Sequence, residues 1–228
     1  MECPKCAAAV ADGTPECPRC GVVFAKLERR EHVARKAEAM NRVADPTEAI
    51  FRAVRGLLIA GLAVWTWQFA RVPMGVAVAD SVLHLPNLVF HEAGHVILGV
   101  FGRFAGVLGG SLFQFALPLA LAVVFLRQGD PFGASVCTWW AGQNLLDVAP
   151  YIGDARALQL VLLGGKTGAE VEGHDWEFLL TEMNLLHMDR TLGLGAHRIG
   201  LTIMVGAVIW GAWAARRRPV KGAPPAGG

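Results

Sequence analysis

Apolar blocks alternate with polar and charged segments along most of this chain. Five blocks stand out, over residues 56–70, 81–102, 111–126, 132–146 and 199–215. A membrane helix needs ~20 predominantly apolar residues, and flanking arginines can extend a shorter block to the interface. The pattern therefore predicts an all-α polytopic membrane protein with about five to six membrane helices.

The number of crossings depends on the charges that flank the blocks. Eight basic residues lie between Lys26 and Arg55, and a run of three arginines, 216–218, follows the last block. Five crossings would place these arginines outside, although basic residues favour cytoplasmic loops, unless 155–165 enters the bilayer as a sixth, so the sequence leaves the parity open. Within 104–126, the pair Gly109 and Gly110 predicts a turn, after which a helix starts at residue 111.

Composition also favours a membrane location. The chain is 54% hydrophobic and 18% charged, whereas soluble domains carry about 25% charged residues. The basic cluster before the first block predicts a cytoplasmic amino terminus, in a bacterial inner (plasma) membrane. Oppositely charged residues four apart, such as Glu31 and Arg35, are typical of a solvated helix, so no nucleic-acid partner is expected.

Four cysteines in the first twenty residues form two C-P-x-C pairs, Cys3 with Cys6 and Cys17 with Cys20. Each pair presents two thiolates on a tight turn, and the two pairs together predict a tetrahedral four-sulfur zinc site, a small N-terminal zinc ribbon. Two disulfides are the alternative, but cysteines three residues apart rarely form unstrained bridges. Such a closed site is structural or docks a partner, here a cytoplasmic protein.

The second motif is H-E-x-x-H, formed by His91, Glu92 and His95. Residues four apart share one face of a helix, so both imidazoles can bind one metal ion, with Glu92 beside it as a general base. Three ionisable groups within an apolar segment are costly to bury unless they bind something. The motif predicts a zinc hydrolase, in which an open coordination position activates water.

A catalytic zinc ion usually has three protein ligands. The downstream candidates are four side chains, and the residues themselves do not choose among them: Asp147, Asp154, His174 and Asp175. The lone histidines His84 and His187 are interpreted as structural.

Residues 81–160 resemble the site-2 protease family of intramembrane zinc metalloproteases. That family places H-E-x-x-H in a membrane helix and takes the third ligand from a later Asn-Leu-Leu-Pro and Asp-Gly segment. Here Asn-Leu-Leu at 144–146, Pro150 and Asp154 follow this outline, and Gln114 lies in a helix with small residues at its start. The resemblance implies His91, His95 and Asp154 as zinc ligands, Glu92 as base, and a water-accessible zinc site within a helical membrane core.

This resemblance completes the division of the chain into four parts. They are the zinc ribbon (1–21), a charged helical linker (22–50), a membrane-embedded metalloprotease-like domain (51–218) and a disordered tail (219–228) rich in proline, glycine and alanine. Two zinc ions are expected, one structural and one catalytic.

Three functions remain open. The first is a zinc metalloprotease that hydrolyses peptide bonds of a membrane-protein or peptide substrate in or near the bilayer. The second is a membrane zinc hydrolase of a lipid or another amide, because the metal chemistry does not identify the substrate. The third is a non-enzymatic adaptor that docks partners through its ribbon, although an adaptor has no need of Glu92.

Overall fold

The computed structural model describes residues 1–41, 46–74 and 81–216. They form two compact units, Met1–Ala53 and Val54–Gly228, and within the described part the regular structure is helical. The predicted all-α class is thus confirmed for these residues, and the predicted tail, 219–228, lies outside them. The helices are α1 (Phe24–Asn41), α2 (Pro46–Ala70), α3 (His84–Gly99), α4 (Arg103–Arg127), α5 (Pro131–Gly153), α6 (Asp175–Glu182) and α7 (Asp189–Arg216).

Three helical stretches among the described residues are long and apolar enough to cross a membrane: Thr47–Ala70, Arg103–Arg127 and Leu186–Arg216. This is consistent with a membrane protein, but it is fewer than the five to six crossings predicted. Helix α3 has only 16 residues, about 24 Å at 1.5 Å per residue. Helix α5 is longer, but it carries Gln143, Asn144 and Asp147. The proposed sixth crossing, 155–165, is not helical and consists mainly of turns.

The amino-terminal unit contains two similar turns, one for each cysteine pair. The backbone N–H of Cys3 donates to the carbonyl of Ala8, and that of Cys17 donates to the carbonyl of Val22. Short antiparallel bridges, Glu2 with Ala9 and Glu16 with Val23, close the turns. Buried Cys3, Val10 and Cys17 form the small core of this unit.

Close packing of α5 against α7 forms the centre of the second unit. Gly142 and Gly200 face each other, and a Cβ built on Gly200 would lie 2.6 Å from the Gly142 carbonyl oxygen. Small residues let helix backbones approach closely, which is a common basis of membrane helix packing. The hydrophobic cluster around this contact includes Ile59, Leu62, Phe69, Phe132, Trp139, Leu146, Met204, Ala207 and Ala214.

Helices α3 and α4 form a second glycine-based contact. A Cβ on Gly109 would lie 2.5 Å from the carbonyl oxygen of Gly94, so neither position has room for a side chain. The predicted turn at Gly109 and Gly110 is therefore wrong: α4 runs unbroken from Arg103 to Arg127. The two glycines leave space for α3 instead of interrupting the helix.

Candidate metal centre

His91, His95 and Asp175 meet at one point in the second unit. Their possible ligand atoms all lie within 4.8 Å of one another. The Oδ2 atom of Asp175 is 3.0 Å from Nε2 of His91 and 3.2 Å from Nε2 of His95. Nitrogen and oxygen ligands on a tetrahedral ion, with bonds of about 2.0–2.2 Å, lie about 3.3 Å apart. Both aspartate–histidine distances are thus close to those between ligands of one metal ion.

Hydrogen bonds fix the orientation of both imidazole rings. Nδ1 of His91 donates to Oε1 of Gln114 at 3.0 Å, and Nδ1 of His95 donates to the carbonyl oxygen of Gly106 at 2.9 Å. Because both partners are acceptors, each ring carries its proton on Nδ1 and presents the lone pair of Nε2 to the shared centre. Metal-binding histidines in proteins are generally oriented in this way.

Gly110 lies next to the Nε2 atoms of both histidines. A Cβ on this residue would lie 2.5 Å from Nε2 of His91 and 2.6 Å from Nε2 of His95. The space in front of the two ligand atoms therefore exists only because residue 110 has no side chain.

Asp175 reaches the centre on the first turn of the short helix α6. The preceding His174 caps this helix, since its Nδ1 accepts from the backbone N–H of Glu177 at 3.2 Å. The backbone N–H of Asp175 donates to the Tyr151 hydroxyl at 2.9 Å. The Trp176 indole N–H donates to the Ser111 hydroxyl at 3.1 Å. Contacts with α4 and α5 thus hold Asp175 in place.

The electrostatics of this segment suit a carboxylate ligand. Burial raises the pKa of Asp175, but when the His91 and His95 rings are protonated their hydrogen bonds to this carboxylate outweigh burial and lower the pKa below its ordinary value. Burial lowers the pKa of His174, which favours the neutral ring that accepts from Glu177. Leu179 and Leu180, both fully buried, anchor the rest of α6.

The structure places Asp175, and not Asp154, beside the two histidines. Asp154 lies at the carboxyl end of α5, where its carboxylate accepts from the backbone N–H groups of Gln159 at 3.0 Å and Leu160 at 2.9 Å. It organises the following loop, and its Oδ2 is 3.5 Å from Nε2 of His174. The structure therefore groups Asp175, one of the four candidates, with the two histidines, and it does not bring Asp154 into this group.

Glu92 follows His91 on α3, and its side chain is exposed. A cleft of about 530 Å³ opens beside Asp175 between the start of α4, the loop around Gly168 and α6. The Arg103 guanidinium lies over the Phe178 ring on its wall, 4.4 Å from the centroid. The cleft thus touches the centre through Asp175, and its lining includes neither of the two histidines nor Glu92.

The four amino-terminal cysteines form a second candidate metal site, in the first unit. Sγ of Cys3 is 3.7 Å from Sγ of Cys20, and Sγ of Cys6 is 3.7 Å from Sγ of Cys17. The edge of a tetrahedron with metal–sulfur bonds of about 2.3 Å is about 3.8 Å. All five cysteines of the chain are free thiols, so the disulfide alternative is not formed.

The close approach of the four sulfurs also changes the pKa values of the thiols. Burial raises the pKa of Cys3, but hydrogen bonds from the backbone N–H groups of Lys5 and Cys6 contribute to lowering it to about 6. At Cys20 a backbone hydrogen bond lowers the pKa, yet burial and the neighbouring sulfurs raise it to about 12. Four sulfurs this close therefore share protons unless a cation stabilises all of them as thiolates.

Comparison of the chain with protein-family models, curated proteins and solved structures found no match. The resemblance to site-2 proteases therefore stays a prediction from the residues.

Proposed function

We propose that the chain is a membrane-embedded zinc metalloprotease that hydrolyses peptide bonds in or near the membrane. The observation that carries this proposal is the convergence of His91 Nε2, His95 Nε2 and Asp175 Oδ2, with Glu92 next to the first ligand. Two imidazoles and one carboxylate are the three protein ligands that a catalytic zinc ion commonly has, with the fourth position open.

Zinc bound at such a site lowers the pKa of water and polarises the carbonyl group of a substrate. The chain supplies the other functions. Glu92 accepts a proton from the attacking water and passes one to the leaving amine. Gln114 and Gly106 keep the His91 and His95 rings in the orientation that binding needs. The adjoining cleft gives an extended substrate segment room beside Asp175.

The amino-terminal ribbon has a separate role in this proposal. Its four thiolates fill a tetrahedral zinc site, so no position remains for a substrate. It forms a compact unit with its own small core, which suits docking of a cytoplasmic partner. A thiolate site is typical of a reducing compartment, and the basic residues from Lys26 to Arg55 favour the cytoplasmic face of a bacterial inner membrane.

Replacing Glu92 by glutamine tests the proposal. Glu92→Gln keeps the shape of the side chain but cannot accept a proton at neutral pH. Zinc content should be unchanged, while cleavage of a membrane-anchored reporter should fall by roughly two to four orders of magnitude. Glu182→Gln, an exposed position at the end of α6, is the matched control and should cleave normally. Unchanged cleavage by Glu92→Gln would remove the hydrolase proposal and favour an adaptor.

A further inference from the structure

A carboxylate with no part in the proposed chemistry lies behind the metal centre. The Asp147 side chain is only 4% exposed, within helix α5. Burying a carboxylate among apolar helices is expensive, so such a residue usually has a function. An apolar residue of the same size would fill the space at lower cost. The question is what the negative charge does at this position.

Three donors surround Asp147. Nδ1 of His84 lies 2.8 Å from its Oδ1, while Asn87 Nδ2 and Gln114 Nε2 lie 3.1 Å and 2.9 Å from its Oδ2. The orientation of Asn87 is independently fixed, because the Trp140 indole N–H can only donate and does so to Asn87 Oδ1 at 2.9 Å. Asp147 is therefore an acceptor towards every one of these neighbours.

This arrangement determines how the Gln114 amide lies. A side-chain amide has a donor end and an acceptor end and can rotate to exchange them. Since Asp147 accepts, Gln114 must turn its Nε2 towards Asp147 and its Oε1 towards His91. Oε1 can only accept, so Nδ1 of His91 must carry the proton. The lone pair of that ring then lies on Nε2, which faces His95 and Asp175.

We propose that Asp147 is a positioning residue of the metal centre: through the Gln114 amide it holds the His91 proton on Nδ1 and leaves Nε2 free for the metal ion. This inference rests on the metal centre of the proposed function. Without Asp147, Gln114 can rotate and offer its N–H to Nδ1, which favours the tautomer with a proton on Nε2. That tautomer has no lone pair on Nε2, so it cannot bind a metal ion through the nitrogen that faces His95 and Asp175.

The test measures affinity for zinc at the inner site of the full-length protein in detergent, by competition with a chelator. Asp147→Leu keeps the branched shape of the side chain but removes the acceptor, and the inner affinity should fall by about 10–100-fold, the usual effect of losing an outer hydrogen-bond partner. Asp147→Asn keeps an oxygen acceptor for Gln114 and should lose little. Ser135→Ala, at another buried polar residue of α5, is the control and should bind zinc normally.

A second substitution separates positioning from packing. Adding Gln114→Glu to Asp147→Leu places an acceptor-only group against His91 Nδ1, so the proton is again held there and most of the lost affinity should return. A role in tying α3 to α5 would not be restored by a change on α4. Helical content and thermal unfolding show which variants fold.

The outcomes decide the inference as follows. Wild-type zinc affinity in Asp147→Leu, or no recovery in the folded double variant, overturns it. If Asp147→Leu does not fold, Gln114→Leu breaks the same link while leaving the His84 and Asn87 bonds in place, and wild-type affinity there overturns it equally. Absence of an inner zinc ion from the wild-type protein would instead overturn the proposed function and this inference with it.

Discussion

A methyl group at Gly110 should abolish metal binding at the inner site without unfolding the protein. A Cβ there would lie 2.5 Å from His91 Nε2 and 2.6 Å from His95 Nε2, whereas ordinary contacts begin at 3.4 Å. The rings or the methyl group must therefore shift by about 0.8–0.9 Å, and metal–ligand distances tolerate only about 0.2 Å. The rings cannot shift freely, because Nδ1 of His91 is hydrogen-bonded to Gln114 and Nδ1 of His95 to the Gly106 carbonyl.

The expected loss for Gly110→Ala is more than about 100-fold in inner-site affinity, beyond the range for an outer hydrogen bond. Alanine is a better helix former than glycine by about 1 kcal/mol, which offsets part of the local strain in α4. Zinc competition with a chelator, beside thermal unfolding in detergent, measures both effects. Gly206→Ala is the control, since nothing lies within 4 Å of its Cβ position. Wild-type inner-site affinity in Gly110→Ala would refute the assigned geometry.

Two further predictions concern the packing of α5 against α7 and the orientation of the amino terminus in the membrane. Gly200→Ala forces a methyl group against the Gly142 carbonyl and should destabilise the protein by about 1–3 kcal/mol. The control Gly195→Ala lies on the same helix with open space around it and should stabilise the protein by up to about 1 kcal/mol. Equal melting temperatures of the two variants would contradict the α5–α7 contact. A cysteine in a tag before Met1 should resist an impermeant thiol reagent in intact cells, because the ribbon is expected in the cytoplasm, and rapid labelling would reverse that orientation.

Both candidate metal sites were predictable in part because their motifs are local. His91 and His95 are one helical turn apart, so the formation of α3 alone brings them together. Each cysteine pair is likewise set by one tight turn. Spacing along the chain therefore indicates these ligands directly, without knowledge of the tertiary structure.

Asp175 could not be selected from spacing, because it is 80 residues from His95 and depends on the docking of α6. That docking requires the Tyr151 hydroxyl and the Ser111 hydroxyl, which are unremarkable in the sequence. The sequence offered one signal, the run His174-Asp175-Trp176 in a polar segment. In the structure His174 caps α6, Asp175 is the candidate ligand and Trp176 bonds to Ser111. Asp154 fitted the family outline better, but it serves the loop that follows α5.

The span count failed for a related reason. Apolar blocks identify buried helices, but they do not distinguish a helix that crosses lipid from one packed inside a bundle. Helix α5 shows the difference, since Gln143 and Asp147 accept hydrogen bonds from Asn87 and Gln114 of neighbouring helices. Within the described residues, Gln143 Nε2 and Asn144 Oδ1 are buried without a partner. The Gly109 and Gly110 pair was misread in the same way, because a glycine that permits close helix packing looks like a turn signal.

Zinc content of two aspartate variants tests the central claim most directly. The wild-type protein, with its two ligand groups, should bind about two zinc ions per chain, one in the ribbon and one at the inner site. Asp175→Ala should retain only the ribbon ion, whereas Asp154→Ala should retain both. Two ions in Asp175→Ala together with one in Asp154→Ala would contradict the account and return the third-ligand role to Asp154.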